Sequence, residues 1–431
     1  MKYVLCIISC FSFFVSKSQN FSIGGEFKPR FEYRNGYGRL RPANDSLDLA
    51  ASFITQRSRL NFNYSDEKQK LSLGAVLQDV RNWGSTEQQN IGDKNTFDVH
   101  EFWIELALAE RWNLKLGRHE LNYDNARIVG NSDWAQQARS FDAALLKYAD
   151  AKKQIQGHLV LGLNSKSETL SREIYDVNNY KYLLILWFNK KFKNLNSSLL
   201  FLNNGIEYTV NKEATSSPAN RRISHSQTIG SRIEYVRNQL EWNTEGYFQG
   251  GNDASHKKLR AWNLATDIKW KTSKMLTVVL GGEILSGTGM NESDGKNHSF
   301  TPLYGTNHKF NGTMDYFFVG GRLSNKTGLE DLYASIRYKK GKFNIDLTPH
   351  VFYTMAPVLN TGKPMSSFMA VESDLAAGYK FSEIALLQGG VSALKGTSTL
   401  EFMSNGGDKN KFNSWLWTQL VVKPRFFNYS K

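Results

Sequence analysis

FSIGGEFKPRFEYR, residues 21–34, decides how the rest of the chain is read. Phe21, Ile23, Phe27, Phe31 and Tyr33 share one parity, and Ser22, Glu26, Lys28, Arg30, Glu32 and Arg34 share the other. Successive side chains of a β-strand point to opposite faces, so this segment makes a strand with one greasy, aromatic face and one charged face. A soluble sandwich would bury the greasy face as core. A barrel in a membrane would turn it to lipid and leave the charged face to line a water-filled lumen.

Residues 52–64 repeat the pattern. Ile54, Leu60, Phe62 and Tyr64 point one way, and Thr55, Arg57, Arg59, Asn61 and Asn63 the other. On the water-facing parity Arg57 and Arg59 stack about 7 Å apart. Further along, Trp242, Gly246 and Phe248 alternate with Glu241, Glu245 and Gln249, and Trp262, Leu264, Ile268 and Trp270 with Asn263, Asp267 and Lys269. The alternation is poor at residues 183–187, where both parities are apolar. Residues 135–155 have helical propensity when read alone, so a helix is the alternative there.

The spacing of these segments is as informative as their pattern. About eighteen of them, roughly ten residues each, follow residue 20. Every second connection is short and polar: residues 65–70, 109–111, 150–153, 190–194, 237–239, 271–274, 339–342 and 382–383. Between them lie long connections rich in Gly, Asn, Asp and Ser, such as 35–49, 82–97, 286–314 and 395–411. Tight turns at one end and long loops at the other are the plan of an outer-membrane barrel. The expected fold is all-β: one closed antiparallel transmembrane β-barrel of about eighteen strands over residues 19–431, with both ends periplasmic. It must close, because an open sheet edge cannot be satisfied in lipid. Residues 412–427 make the last strand, and Phe426 and Phe427 resemble the aromatic end read by the barrel-assembly machinery, although residues 428–431 follow them.

Residues 1–18 read as a signal peptide, with Lys2 as its charge, a short apolar core, and small residues at Ser16 and Ser18 before a mature start at Gln19. Residues 7–10 also resemble a lipoprotein cleavage box ending at Cys10, but the apolar run 11–15 carries the core past it. Both cysteines, Cys6 and Cys10, leave with this segment. A mean hydropathy of -0.46 and the lack of a long apolar run after it exclude a helical membrane protein. The formal charge is +14, and removing Lys2 and Lys17 leaves +12. Part of the excess is lysine in the short turns, a solvated rim. The rest is arginine inside strands, and a positive lumen concentrates anions. Export to an outer membrane excludes nucleic acid as the partner of this basic chain.

Enzyme chemistry has little support. The eight histidines form no HExxH or HxxxH pair. His100 and His119 near strands leave a barrel lipase as an alternative, but no signature marks a nucleophile. No Gly-rich phosphate loop or cysteine cluster calls for a cofactor. The acidic loop 291–295 lacks the spacing of a calcium loop and reads as solvated.

Several motifs remain: LQDVRNWG at 77–84, GRHELNYDNARIVGNSDWAQQARSFDAALLKY at 117–148, FTPLYGTNHKFNGTMDYF at 300–317, VESDL at 371–375 and WLWTQLVVKPRFF at 415–427. Their order and spacing resemble the alginate-export porin family of the bacterial outer membrane, particularly its Bacteroidetes branch. The resemblance implies a monomeric eighteen-stranded barrel of a Gram-negative outer membrane, with an electropositive pore constricted by infolded loops. It implies passage of an acidic polysaccharide such as alginate, a general or small-anion porin being the alternative. The family's charged positions fall on Asp79, Arg81, Arg118, Glu120, Arg127, Arg139 and Asp142. The expected pore-lining set is Arg57, Arg59, Arg81, Arg118, Arg127 and Arg139, with counter-charges Asp79, Glu101, Glu105, Glu120, Asp142 and Asp374. Guanidinium groups suit this work because their planar fork grips carboxylates and stays charged. The alternative role for these charges is bracing the wall as ion pairs. Part of residues 123–140, carrying Arg127, Trp134 and Arg139, is expected to fold into the lumen. The expected partners are outer-membrane lipid, an anionic solute or polysaccharide, and the barrel-assembly machinery.

Overall fold

The computed structural model describes residues 19–88, 96–211, 217–318 and 326–429. The signal-peptide reading of residues 1–18 lies outside them. In chain order the strands are β1 (Asn20–Asn35), β2 (Ala51–Ser65), β3 (Leu71–Asn82), β4 (Phe97–Ala109), β5 (Trp112–His119) and β6 (Phe141–Asp150). Next come β7 (Ile155–Leu163), β8 (Tyr182–Lys191), β9 (Leu195–Thr209), β10 (Arg221–Arg237), β11 (Leu240–Gly251) and β12 (Ala261–Lys271). The last six are β13 (Leu276–Leu285), β14 (Leu329–Lys340), β15 (Phe343–Tyr353), β16 (Phe368–Lys380), β17 (Ala385–Gly396) and β18 (Asn413–Val422, resuming as Arg425–Tyr429). Among the described residues these eighteen form one sheet, each antiparallel to its neighbour in sequence, and β18 pairs back onto β1. The sheet is therefore a closed barrel.

The local chemistry explains the breaks. Pro424 has no N–H for the ladder, so β18 is interrupted there and Gly25 N–H bonds the Pro424 carbonyl at 2.9 Å instead. Between β10 and β11, Arg237 pairs with Leu240 across a turn of Asn238 and Gln239, with Asn238 at φ 55°. Asparagine tolerates that left-handed backbone well. The helix weighed for residues 135–155 does not form. β6 and the start of β7 occupy most of it, because their backbone groups are committed to the wall.

The two faces divide as the alternation requires. Trp242, Phe248, Leu264, Ile268, Trp270 and Leu280 are exposed on the outside, while Tyr247, Ala261, Asn263 and Val279 on the alternate parity are buried within. The doubly apolar stretch of β8 has a reason. Its inward residues Leu183 and Ile185 join Val160 of β7 and Leu200 and Leu202 of β9 in a hydrophobic core inside the long-loop half of the barrel. Infolded loops cover that core. Among the described residues no helix is long and apolar enough to cross a membrane.

The outward parity makes a direct test. Leu280 lies midway along β13 and is well exposed to the outside. Leu280→Arg should cost about 2–4 kcal/mol in a bilayer, whereas inward Gln388→Lys should stay within about 1 kcal/mol. Urea unfolding in lipid vesicles measures both.

Candidate solute pathway

Two loops fill the lumen at the long-loop end. Residues 120–140, between β5 and β6, turn inward, as expected for part of 123–140. Their apolar residues Leu121, Tyr123, Ile128 and Val129 are buried against the inward faces of β6–β9. The segment 298–318, between β13 and β14, lies against them. Gly130 N–H bonds the Tyr304 carbonyl (2.9 Å), Tyr304 N–H bonds that of Ile128 (3.0 Å), and Thr306 N–H bonds that of Ala126 (2.9 Å). This small ladder lets irregular backbone sit inside a barrel, because each loop satisfies the other's polar groups.

Charged side chains clamp both loops to the wall. Arg57 is fully buried and bonds Glu26 (2.6 Å, through Nε) and Asp133 (2.7 Å). Lys28 donates to the Asp133 carbonyl at 2.6 Å, and Arg30 to that of Trp134 at 2.7 Å. Arg127, also fully buried, pairs with Glu283 of β13 at 2.7 Å and with Asn311 at 3.0 Å. On the far side Thr313 donates through its hydroxyl to Asp374 (2.6 Å), and Met314 N–H bonds Glu372 (2.8 Å). Gly312 makes this approach possible. Its φ is +79°, and a Cβ there would stand 2.6 Å from the Glu372 carboxylate.

Cavities remain beside the loops among the described residues. Toward the long-loop end a space of about 850 Å3 is lined by Arg30, Glu32, Arg34, Tyr37, Phe53, Trp134, Arg139, His308 and Asp315. Arg30 lies 4.0 Å over the Trp134 ring, which also stacks on the His308 imidazole (4.3 Å) and meets Trp417 edge-on (4.9 Å). Arg34 covers Tyr37 at 4.1 Å, and with Arg30 it grips Glu32. Arg139 donates through Nη1 to the carbonyls of Gly130, Tyr304 and Gly305. Toward the short-turn end a space of about 330 Å3 is bounded by Arg232, Lys269, Lys309 and Arg337, facing Glu245, Asp267, Glu283, Asp331 and Asp374.

The residues singled out in the sequence scatter across this arrangement. Arg139 lines the larger cavity. Arg59 points inward but bonds Gln78 (3.1 Å) and sits 3.7 Å from Glu120. Arg57 and Arg127 do not line open pore, because the loops they hold bury them. Arg81 and Arg118 are corrections of another kind. Arg118 stands opposite Phe102, the exposed aromatic of β4, and so points outward, paired with Asp142 at 2.9 Å. Arg81 touches the rim of the cavity, but its guanidinium turns to Asp79 (2.6 Å) and Thr96 on the outward parity, where Asp79 faces Phe97. Of the counter-charges, Glu101 accepts from Trp103 Nε1 (2.8 Å), Glu105 pairs with Lys147 (2.6 Å) and Asp374 latches a loop. Arg30 and Arg34 were absent from the expected site, although their inward parity in β1 was the available signal.

Two other clusters offer donor atoms. His100, Glu101 and Glu120 bring theirs within 4.8 Å, as do Glu292, Asp294 and His298 in the exposed segment between β13 and β14. The first set is engaged already: His100 Nε2 meets Glu120 (2.7 Å), Glu120 also accepts from Asn131, and Ser140 Oγ lies 3.2 Å from His100 Nδ1. In the second set Asp294 is held down to about 2, first by the Lys296 backbone N–H, which makes a self-closed turn. At the outer mouth the Asp48 carboxyl is likewise held down to about 2, first by hydrogen bonds from Arg41 and then by Lys411.

Comparison with known proteins agrees with this architecture. Residues 19–320 match the family model described as alginate export. Among solved structures, OccAB1 of Acinetobacter baumannii aligns over 95% of this chain and 97% of its own, with a TM-score of 0.61 and 11% identity. OccK11 (OpdR) of Pseudomonas aeruginosa aligns over 94% and 96%, with a TM-score of 0.60 and 9% identity. OpdK of Pseudomonas aeruginosa, solved with vanillate, aligns over 94% and 99%, with a TM-score of 0.59 and 9% identity. No curated protein matches significantly.

Arg57 gives the test of the clamp. Arg57→Gln takes the guanidinium from Glu26, which keeps only Lys423 at 3.1 Å, and from Asp133, and losing these charge-assisted bonds should cost about 1–3 kcal/mol. The 120–140 loop should loosen and single-channel conductance rise, with the barrel's heat-modifiable migration retained. Adding Glu26→Gln should restore part of the wild-type conductance.

Proposed function

The chain belongs to the alginate-export family, and on that premise we propose that its outer-membrane porin channel carries small anionic solutes, each bearing one carboxylate and one or two rings. The observation that carries this reading is the 850 Å3 cavity, where Arg30, Arg34 and Arg139 outnumber Glu32 and Asp315 and flat faces of Trp134, Tyr37 and Phe53 stand beside them. That volume suits a ligand of one or two rings. Guanidinium groups supply a carboxylate partner, and the aromatic faces supply stacking for a ring.

The second cavity argues against a long polyanion. It sets four cations against five carboxylates, so a chain with a charge on every ring would meet like charge there. A solute with a single charge meets both signs and leaves again, as conduction requires. The vanillate bound to OpdK is a solute of this class, though the likeness to that protein is one of fold.

Planar-bilayer recording tests the reading. Arg34→Gln with Arg139→Gln should lower the chloride-over-potassium preference about two- to fivefold, read as a shift in reversal potential under a salt gradient. Vesicles holding the wild-type protein should admit a monouronate or an aromatic monocarboxylate faster than a neutral sugar of equal size. Oligouronates entering as fast as the monomer would overturn the small-solute reading in favour of polysaccharide passage.

A further inference from the structure

A third site lies outside the barrel. Residues 165–178, between β7 and β8, cover the outward side of the wall at the top of β9, whereas Tyr180 turns into the interior against Phe141 and Tyr304. The anchor is Glu207 of β9, whose parity is that of exposed Leu199 and which pairs across the ladder with Ile223. Its carboxylate would face outward, yet it is 1% exposed. The folded segment covers it: Tyr175 N–H bonds it at 2.9 Å, and Arg172 lies 3.7 Å away. Glu173 closes the same segment on itself by accepting from Ser165, Lys166 and Ser167. Hydrogen bonds, the Ser167 backbone N–H first, hold its carboxyl down to about 2.

Between this segment and the wall is a cleft of about 400 Å3. Its floor is apolar, built from Leu163, Tyr182 and Ile223, and its upper side carries Arg172, Lys181 and Arg222. Leu163 and Tyr182 are exposed on the lipid-facing parity, and Leu170 in the covering segment is wholly exposed. Lys181 lies 4.9 Å over the Tyr175 ring, and Arg222 donates to the carbonyls of Ala219 and Arg221. Among the described residues no carboxylate is within 4 Å of either cation, while both carboxylates of the cleft are engaged by the segment itself.

We propose that this cleft binds a phosphorylated, acylated lipid of the outer leaflet, with its phosphate among Lys181, Arg222 and Arg172 and its acyl chains along Leu163 and Tyr182. The height matches: the long-loop end of the wall is where hydrocarbon gives way to headgroups, and tyrosine favours that boundary. A soluble anion has no use for the apolar floor, and an uncharged lipid has none for the cations. Only an anionic amphiphile satisfies both, and arginine and lysine near the surface draw such headgroups. The site is separate from the lumen, so conduction does not depend on it.

Native mass spectrometry of the detergent-solubilised full chain tests this. The probes are bis-phosphorylated lipid A, the same lipid with its phosphates removed, and inorganic phosphate. The phosphorylated lipid should be retained about tenfold more than the dephosphorylated one. Lys181→Gln with Arg222→Gln should abolish that difference while conductance and heat-modifiable folding stay unchanged. Leu163→Asn should weaken retention of both lipids. Equal retention of the two lipids by the wild-type chain would overturn the proposal and needs no variant. So would undiminished preference in the double variant, or full displacement by inorganic phosphate at millimolar concentration, which would mark a site for small anions.

Discussion

A backbone N–H or C=O left unpaired in hydrocarbon costs several kcal/mol, and a sheet that crosses a membrane has a row of them at each edge. Joining the first strand to the last removes both edges at once. In this chain β1 carries that closure, pairing with β2 along one side and with both pieces of β18 along the other. Everything else follows from it. Once the wall closes, one parity of every strand must meet lipid and the other an interior that the chain itself has to fill or hydrate.

The interior is filled unevenly, and the charges show how. On the β1–β2 side, Lys28, Arg30 and Arg57 point inward and are met by carbonyls and carboxylates of the 120–140 loop. On the opposite side Glu283, Glu372 and Asp374 receive Arg127 and the segment around Thr313. Basic wall, loops and acidic wall thus form one cross-braced partition. Each of these buried groups is committed to holding a loop against the wall. Under the proposed function, attraction would fall to the charges lining the larger cavity, Arg34 and Arg139 among them.

The same reasoning separates two kinds of arginine that look alike in the sequence. Arg59 and Arg118 both lie in strands near acidic residues. Arg59 faces the lumen because it shares parity with Arg57, whereas Arg118 faces outward because it lies across from Phe102. Parity within β5 puts Arg118 with Trp112, Leu114 and Leu116, so its direction was readable. A family motif gave it a role, but the strand's own alternation gives its direction.

The sequence by itself determined the class of fold, its compartment and the placement of strands, because lipid demands alternation and closure and both leave a period-two mark with alternating loop lengths. It also pointed to part of residues 123–140 turning inward, since Arg127, Trp134 and Arg139 set that stretch apart from a simply polar loop. Only the tertiary structure decided which arginine meets which carboxylate. Arg127 finds Glu283 across 156 residues, and Arg30 finds Trp134 across 104. Such contacts depend on where two loops come to rest inside a closed wall, and local periodicity carries no record of that.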